Sequence, residues 1–87
     1  MRSVWKFPLV TVEQRITAPG LNRLLCIANQ GFGETYVWGE VDTEAEPRSA
    51  VVAIHGTGHP IGDDEHYIGT VHEPPFVWHY YATEPLP

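Results

Sequence analysis

The sequence is poor in cysteine and in long apolar runs, and each shortage excludes a class of protein. The single cysteine, Cys26, cannot form an internal disulfide, so nothing points to an oxidising compartment. No segment approaches the run of about 18 apolar residues that a membrane span needs. The stretch Trp5-Lys6-Phe7-Pro8 also breaks the pattern of a signal peptide. We therefore expect a cytoplasmic protein that does not bind membranes.

Basic residues are the second shortage. Five Lys and Arg against eleven Asp and Glu give a formal net charge of −6, and the cations are scattered over the first 48 residues. Because nucleic-acid backbones repel such a surface, direct binding of DNA or RNA is disfavoured. The acidic charge fits a protein partner with a basic patch, although it also serves solubility.

Room for helices is the third shortage, because eight glycines and eight prolines divide the chain. Only Leu9–Ala18 and Leu21–Gln30 reach ten residues without either, and the runs between these breaks are rich in β-branched and aromatic residues. The pattern predicts an all-β fold, a small antiparallel sandwich or a partly open barrel of six to seven short strands with little or no helix. We expect one domain over residues 1–83 and a frayed tail over residues 84–87.

Seven strands are predicted between the turn signals. They are Ser3–Leu9, Glu13–Thr17, Leu24–Asn29, Thr35–Val41, Ala50–His55, Tyr67–Val71 and Phe76–Tyr81. Residues 21–28 fit two interpretations, because Leu21, Leu24, Leu25 and Ala28 have the spacing of an amphipathic helix. The following turn, Gly31-Phe32-Gly33, and the β-rich segment after it favour a hairpin instead.

The last predicted hairpin supplies candidate contact residues. A three-residue connection, Glu73-Pro74-Pro75, would pair His72 with Phe76. That register places on one face Ile68, Thr70, His72, Phe76, Trp78 and Tyr80, and on the other Tyr67, Gly69, Val71, Val77, His79 and Tyr81. We expect the Trp78 face to be core. Tyr67, His79 and Tyr81 are then candidates for contact with a protein partner, with the alternative that they also line the core.

One loop has the composition of an anion-binding site. Gly56, Thr57, Gly58 and His59 follow a predicted strand, and successive glycine amides can hold an anion beside a histidine. The spacing is not that of a dinucleotide or P-loop motif, and Pro60 discourages a following helix. The alternative is a strand-terminating turn with a positive φ at a glycine.

Metal and catalytic sites have little support in the sequence. Five histidines lie between residues 55 and 79, but their spacing is not that of a zinc site, so we predict no metal and no cofactor. A set of His59 and His66 with the run Asp63-Asp64-Glu65 is the alternative. Cys26 lies among apolar residues, which is typical of a small buried hydrophobe. No catalytic residue is predicted.

Four segments carry a resemblance to a known family. They are Trp5-Lys6-Phe7-Pro8-Leu9, Gly56-Thr57-Gly58-His59-Pro60, Tyr67-Ile68-Gly69-Thr70 and Phe76-Val77-Trp78-His79-Tyr80-Tyr81. In this order they resemble a family of short proteins encoded by tailed bacteriophages, many of which infect actinobacteria. The resemblance implies a phage source, a location in the host cytoplasm and a compact β fold. It implies no activity and no catalytic residue.

Three functions are compatible with these observations. The first is a non-enzymatic, phage-encoded interaction protein that acts on a host or phage protein, as in host takeover or anti-defence, and that contacts it through Tyr67, His79 and Tyr81. The second is a small binder or hydrolase of anionic ligands such as nucleotides, which uses the Gly56–His66 loop. The third is a minor virion or assembly component. An exposed strand edge could also support a homo-oligomer.

Overall fold

A computed structural model describes residues 1–31 and 33–87, and it contains seven β-strands and no helix within that part of the chain. The strands are β1 (Arg2–Leu9), β2 (Glu13–Pro19), β3 (Arg23–Asn29), β4 (Thr35–Asp42), β5 (Pro47–Gly56), β6 (Glu65–Glu73) and β7 (Phe76–Thr83). The all-β prediction is confirmed, and each predicted strand overlaps an observed one. No helix that could cross a membrane occurs among these described residues.

The strands form two open antiparallel sheets. One has three strands in the order β1-β4-β3, and the other has four in the order β2-β5-β7-β6. The arrangement is thus the sandwich, rather than the partly open barrel, of the two predicted architectures. Both β5 and β6 pair antiparallel with β7, which lies between them, so β5 and β6 run parallel to each other. The chain must therefore return along the length of β7 between Gly56 and Glu65.

The core lies between the inner faces of the two sheets, where strand periodicity places every second residue. In β4, Val37 and Val41 are fully buried while the intervening Trp38 and Glu40 are not. In β7, Tyr80 and Ala82 are buried, and Trp78 packs against the same cluster. The Trp78 face is therefore core, as predicted.

The helix-like spacing in residues 21–28 has a β explanation. The segment forms β3, and its pairing with β4 shifts register between Leu24 and Cys26. The extra residue, Leu25, is exposed, and it lets Leu24 and Ile27 both face the core at a spacing of three. The strand interpretation is confirmed, because Leu25 and Ala28, which a helix would bury together with Leu21 and Leu24, are exposed.

The predicted register of the last hairpin is wrong. Glu73 pairs with Phe76, so the connection has two residues rather than three, and Thr70 lies opposite His79. A second bulge lies between Tyr67 and Gly69. Because of it, Tyr67 lies opposite Tyr81, which is the pairing that the predicted register also gives. The outer face of the hairpin thus carries Tyr67, Thr70, His72, Val77, His79 and Tyr81. The observed register differs from the predicted one by one residue. Thr70 and His72 therefore lie on the outer face, where Gly69 and Val71 were predicted.

Three smaller expectations can be compared with the structure. The tail is not frayed at Leu86, which exchanges two backbone hydrogen bonds with Ser49 at 2.7 and 2.8 Å. Cys26 is exposed rather than buried, because the bulge in β3 turns it to the outer face opposite Trp38. In the predicted turn Gly31-Phe32-Gly33 both glycines have positive φ, and Phe32 lies outside the described residues.

Candidate functional site

The return segment between β5 and β6 covers part of the outer face of the four-stranded sheet. A cleft of about 190 Å³ forms where this segment meets β5 and β7. Its lining residues are His55, Gly56, Thr57, Gly58, His59, Ile61, His79 and Tyr81. The loop predicted to bind anions and two of the residues predicted to contact a partner therefore lie together. We call these residues, with Glu65, Tyr67 and Thr70, the outer-face cluster.

His79 connects the loop to both strands of the last hairpin. Its Nε2 lies 3.0 Å from the Thr57 hydroxyl, and its Nδ1 lies 3.2 Å from the Thr70 hydroxyl. Thr70 is in turn 2.7 Å from the Tyr67 hydroxyl. A neutral imidazole has one donor and one acceptor nitrogen, and each of those here has a hydroxyl partner. The chain of hydrogen bonds fixes the orientation of His79 and holds the start of the loop against the sheet.

His55 and Glu65 hold the other end of the loop. His55 Nε2 is 3.0 Å from Glu65 Oε1, and both side chains are largely buried, with 17% and 13% of their surface exposed. The second oxygen of Glu65 accepts a hydrogen bond from the backbone N–H of Gly62. The hydrogen bond with His55, followed by that from Gly62, holds the pKa of Glu65 below its ordinary value against the opposing effect of burial. Glu65 therefore acts as an ionised anchor for the loop.

Aromatic rings form the floor and one wall of the cluster. The ring of Tyr81 makes edge contacts with the rings of His55 and Tyr67, with centroid distances of 5.6 Å in each case. Tyr81 is half-buried under these neighbours, whereas Tyr67 is 57% exposed and Ile61 is 44% exposed. The cluster thus presents an exposed apolar surface on a frame fixed by hydrogen bonds.

The Gly56–His59 segment has the geometry of a strand-terminating turn. The backbone N–H of Gly56 donates to His59 Nδ1 at 3.2 Å, and the N–H of His59 donates to the carbonyl of Gly56 at 3.1 Å. Gly58 has a φ of +92°, which is the positive φ expected for such a turn. Because the first amide of the supposed anion nest is already bonded to His59, the geometry does not favour a bound anion. The ligand-binding role of Gly56, Thr57, Gly58 and His59 stays a prediction.

Three of the five histidines, His55, His59 and His79, line the cleft, but they do not form a metal site. Within residues 1–31 and 33–87, no group of three or more His, Cys, Asp or Glu side chains is arranged to hold a metal ion. The Nδ1 of His66 lies 3.4 Å from Oε1 of Glu84. His72 is exposed on the outer face. Cys26 lies on the three-stranded sheet.

Sequence reasoning missed the roles of Thr70 and Ile61. The predicted three-residue connection is one residue longer than the observed one and therefore places Thr70 on the wrong face. Ile61 became part of the cluster because its loop crosses over β7 rather than leaving the sheet. The alternation of small and large residues in β6 does not indicate the crossover. The pair Pro74-Pro75, by contrast, is a sequence signal for the two-residue turn that places Thr70 on the outer face.

The whole chain was compared with protein families, curated proteins and solved structures. No curated protein and no solved structure matches it. A family model described as a domain of unknown function, DUF7352, matches residues 1–86, and the chain therefore belongs to that family.

Proposed function

We propose that the protein is a non-enzymatic interaction protein and that the outer-face cluster is its contact surface. The observation that carries the proposal is the exposure of Tyr67 and Ile61 on a hydrogen-bonded frame. Large rings with a polar end contribute contact area at a low cost in side-chain entropy, and a fixed frame lowers that cost further. The resemblance to phage proteins supports a host or phage protein as the partner.

Binding is favoured over catalysis because the polar groups of the cluster are engaged with each other. His79 has hydroxyl partners at both nitrogens, and His55 is paired with Glu65. His59 accepts a hydrogen bond from its own turn through Nδ1. The Thr57 hydroxyl lies beside His79 as a nucleophile lies beside its base, but the other nitrogen of His79 faces the Thr70 hydroxyl instead of the carboxylate that orients the base in such sites. The hydroxyls beside His79 instead serve to hold the loop.

The charge of this part of the chain narrows the class of partner. Residues 49–87 contain no Lys or Arg, whereas Asp63 and Asp64 are exposed in the loop next to Ile61. Charged groups at the rim of an interface mainly set the rate of association and the choice of partner. We infer a partner with an apolar pocket that is bordered by basic or neutral groups.

The experiment compares proteins captured from a lysate of the host by the wild-type chain and by matched variants. Tyr67→Ser removes the exposed ring, and Val4→Ser removes an exposed apolar side chain of similar exposure, 56% against 57%, from the other sheet. For a central aromatic contact we expect binding to weaken at least about tenfold with Tyr67→Ser. Val4→Ser should leave binding unchanged.

Both variants must first give the circular dichroism spectrum and melting temperature of a folded protein. Ile61→Ser provides a second test, because Ile61 belongs to the same surface but takes no part in the hydrogen bonds of Tyr67. Partners retained equally by wild type, Tyr67→Ser and Ile61→Ser would contradict the proposal. A partner lost only with Val4→Ser would move the contact surface to the three-stranded sheet.

A further inference from the structure

A second cleft lies between the two sheets, away from the outer-face cluster. It forms where the link between β1 and β2 meets the end of β6 and the start of β4, and it has a volume of about 240 Å³. The walls that matter here are Leu9, Val12, Ile54, Glu73, Trp78 and Tyr80. Val10 and Val12 stand beside its mouth with 81% and 75% of their surface exposed. Exposed apolar side chains beside a concave apolar wall indicate a binding site rather than a packing fault.

Glu73 is the one charged side chain among the described residues that line this cleft. Trp78 and Tyr80 lie two residues apart in β7, so both rings face the cleft from the inner side of the sheet. Glu73 lies across from them at the end of β6. Burial raises the pKa of the Tyr80 phenol, and the Glu73 carboxylate raises it further, while a hydrogen bond from Thr35 opposes both effects. The charge of Glu73 therefore acts on the interior of the cleft.

We propose that this cleft is a binding site for an organic ammonium ion with an apolar aliphatic or aromatic body. The faces of aromatic rings attract cations, and indole is the strongest of the natural side chains in this respect. The Glu73 carboxylate adds a full negative charge, and no Lys or Arg is among the described residues that line the cleft. Leu9, Val12 and Ile54 provide the apolar wall for the body of the ligand.

The size of the cleft sets the class of ligand and the strength of binding. Sites for drug-sized molecules have volumes of roughly 300–1,000 Å³, so a cleft of 240 Å³ takes a smaller molecule. A ligand of about ten non-hydrogen atoms gains limited energy, which corresponds to dissociation constants in the millimolar range.

The test is a titration of the isotope-labelled full chain followed by nuclear magnetic resonance. The probe is phenethylammonium, and 2-phenylethanol is its neutral counterpart with the same ring and chain length. We expect saturable shifts of the Trp78 indole N–H and the Ile54 methyl groups, with phenethylammonium binding about fivefold more tightly than 2-phenylethanol, as expected for a partly solvated charge pair. Equal affinity of the two probes, or shifts that map outside the cleft, would overturn the proposal.

Matched variants separate the charge of Glu73 from the net charge of the protein. Glu73→Gln should remove the preference for phenethylammonium and leave the affinity for 2-phenylethanol unchanged. Glu46→Gln makes the same change of net charge in the loop between β4 and β5, where the side chain is exposed, and should preserve the preference. An unchanged preference in Glu73→Gln, or its equal loss in Glu46→Gln, would refute the assignment. Because the outer-face variants Tyr67→Ser and Ile61→Ser leave this cleft intact, its outcome is independent of the proposed protein contact.

Discussion

Gly20 allows a sharp test of the fold that positions both clefts. It follows β2 with a φ of +53°, and its N–H donates to the carbonyl of Glu46 at 2.8 Å. A Cβ added there would lie 2.8 Å from the Cβ of Asp42, 2.9 Å from that of Ala45 and 2.9 Å from the carbonyl oxygen of Asp42. No staggered rotamer can relieve these contacts, because they involve the Cβ itself and backbone. Gly20→Ala must therefore move the turn that follows β4.

The cost of Gly20→Ala can be worked out from two effects. The left-handed conformation costs a residue with a Cβ roughly 1–2 kcal/mol, and overpacking a closed site costs typically about 1–3 kcal/mol more. We expect a loss of about 2–5 kcal/mol from the free energy of unfolding. A chain of 87 residues has a total stability of roughly 4–13 kcal/mol. At about 4–8 °C for each kcal/mol in a domain of this size, the melting temperature should fall by at least about 8 °C.

Urea unfolding followed by tryptophan fluorescence measures this loss directly. Gly58→Ala is the matched control, because Gly58 also has a positive φ, +92°, but an added Cβ would meet nothing within 4 Å. Gly58→Ala should lose only the conformational part of the cost, so the difference between the variants reports the close contacts. The reasoning is refuted if Gly20→Ala is no less stable than Gly58→Ala.

Three further perturbations test the core and the outer-face cluster. Leu21→Ala removes a fully buried side chain and should cost about 2–5 kcal/mol in urea unfolding, with a smaller loss showing that the site collapses around the cavity. Thr57→Val removes one hydroxyl partner of His79 and should speed amide hydrogen exchange in the loop while the melting temperature falls by only a few degrees; unchanged exchange would show that this hydrogen bond does not hold the loop. The pKa of Glu65 lies below its ordinary 4.5 in the folded protein, so its contribution is present above that pH and is lost as the pH falls through the folded pKa. Glu65→Gln should therefore lower stability at pH 7 by about 1–2 kcal/mol and bring the two proteins closer together below pH 4, and a gap that is the same at both pH values would contradict this role.

The strands were predictable because their signal is local. Glycine and proline mark most of the boundaries, and the alternation in β4 and β7 directly gives the buried positions such as Val37 and Tyr80. The two bulges were not predictable in the same way. In β3 the extra residue Leu25 lets both Leu24 and Ile27 face the core, and in β6 the extra residue Ile68 changes the face on which the following side chains lie. A bulge is selected by tertiary packing, which no local pattern reports.

Packing against the other sheet is visible at the second bulge. Gly69, the first residue after it, faces Ile27 of β3, and an added Cβ would lie 3.1 Å from the Cβ of Ile27. The glycine lets the edges of the two sheets approach at this point. On the other side of the bulge, Tyr67 lies opposite Tyr81.

The crossover from β5 to β6 explains why two separately predicted sites became one. The sequence placed Gly56–His59 in a loop and His79 and Tyr81 on a distant hairpin, with nothing to connect them. In the structure β7 lies between β5 and β6, and the segment that connects β5 to β6 crosses the outer face of β7. His79 and Tyr81 are the residues of β7 that line the cleft with this segment.

This arrangement also separates the two proposed functions physically. The outer-face cluster depends on the loop and on alternate residues of β7, whereas the inter-sheet cleft depends on the intervening residues Trp78 and Tyr80. One strand therefore supplies both surfaces, and its two faces carry different chemistry. Substitutions on the outer face should leave the cleft intact as long as Tyr80 stays buried, which the Trp78 indole resonance would report. Loss of both functions from a change at His79 alone would show that the register of β7, rather than either surface, had been altered.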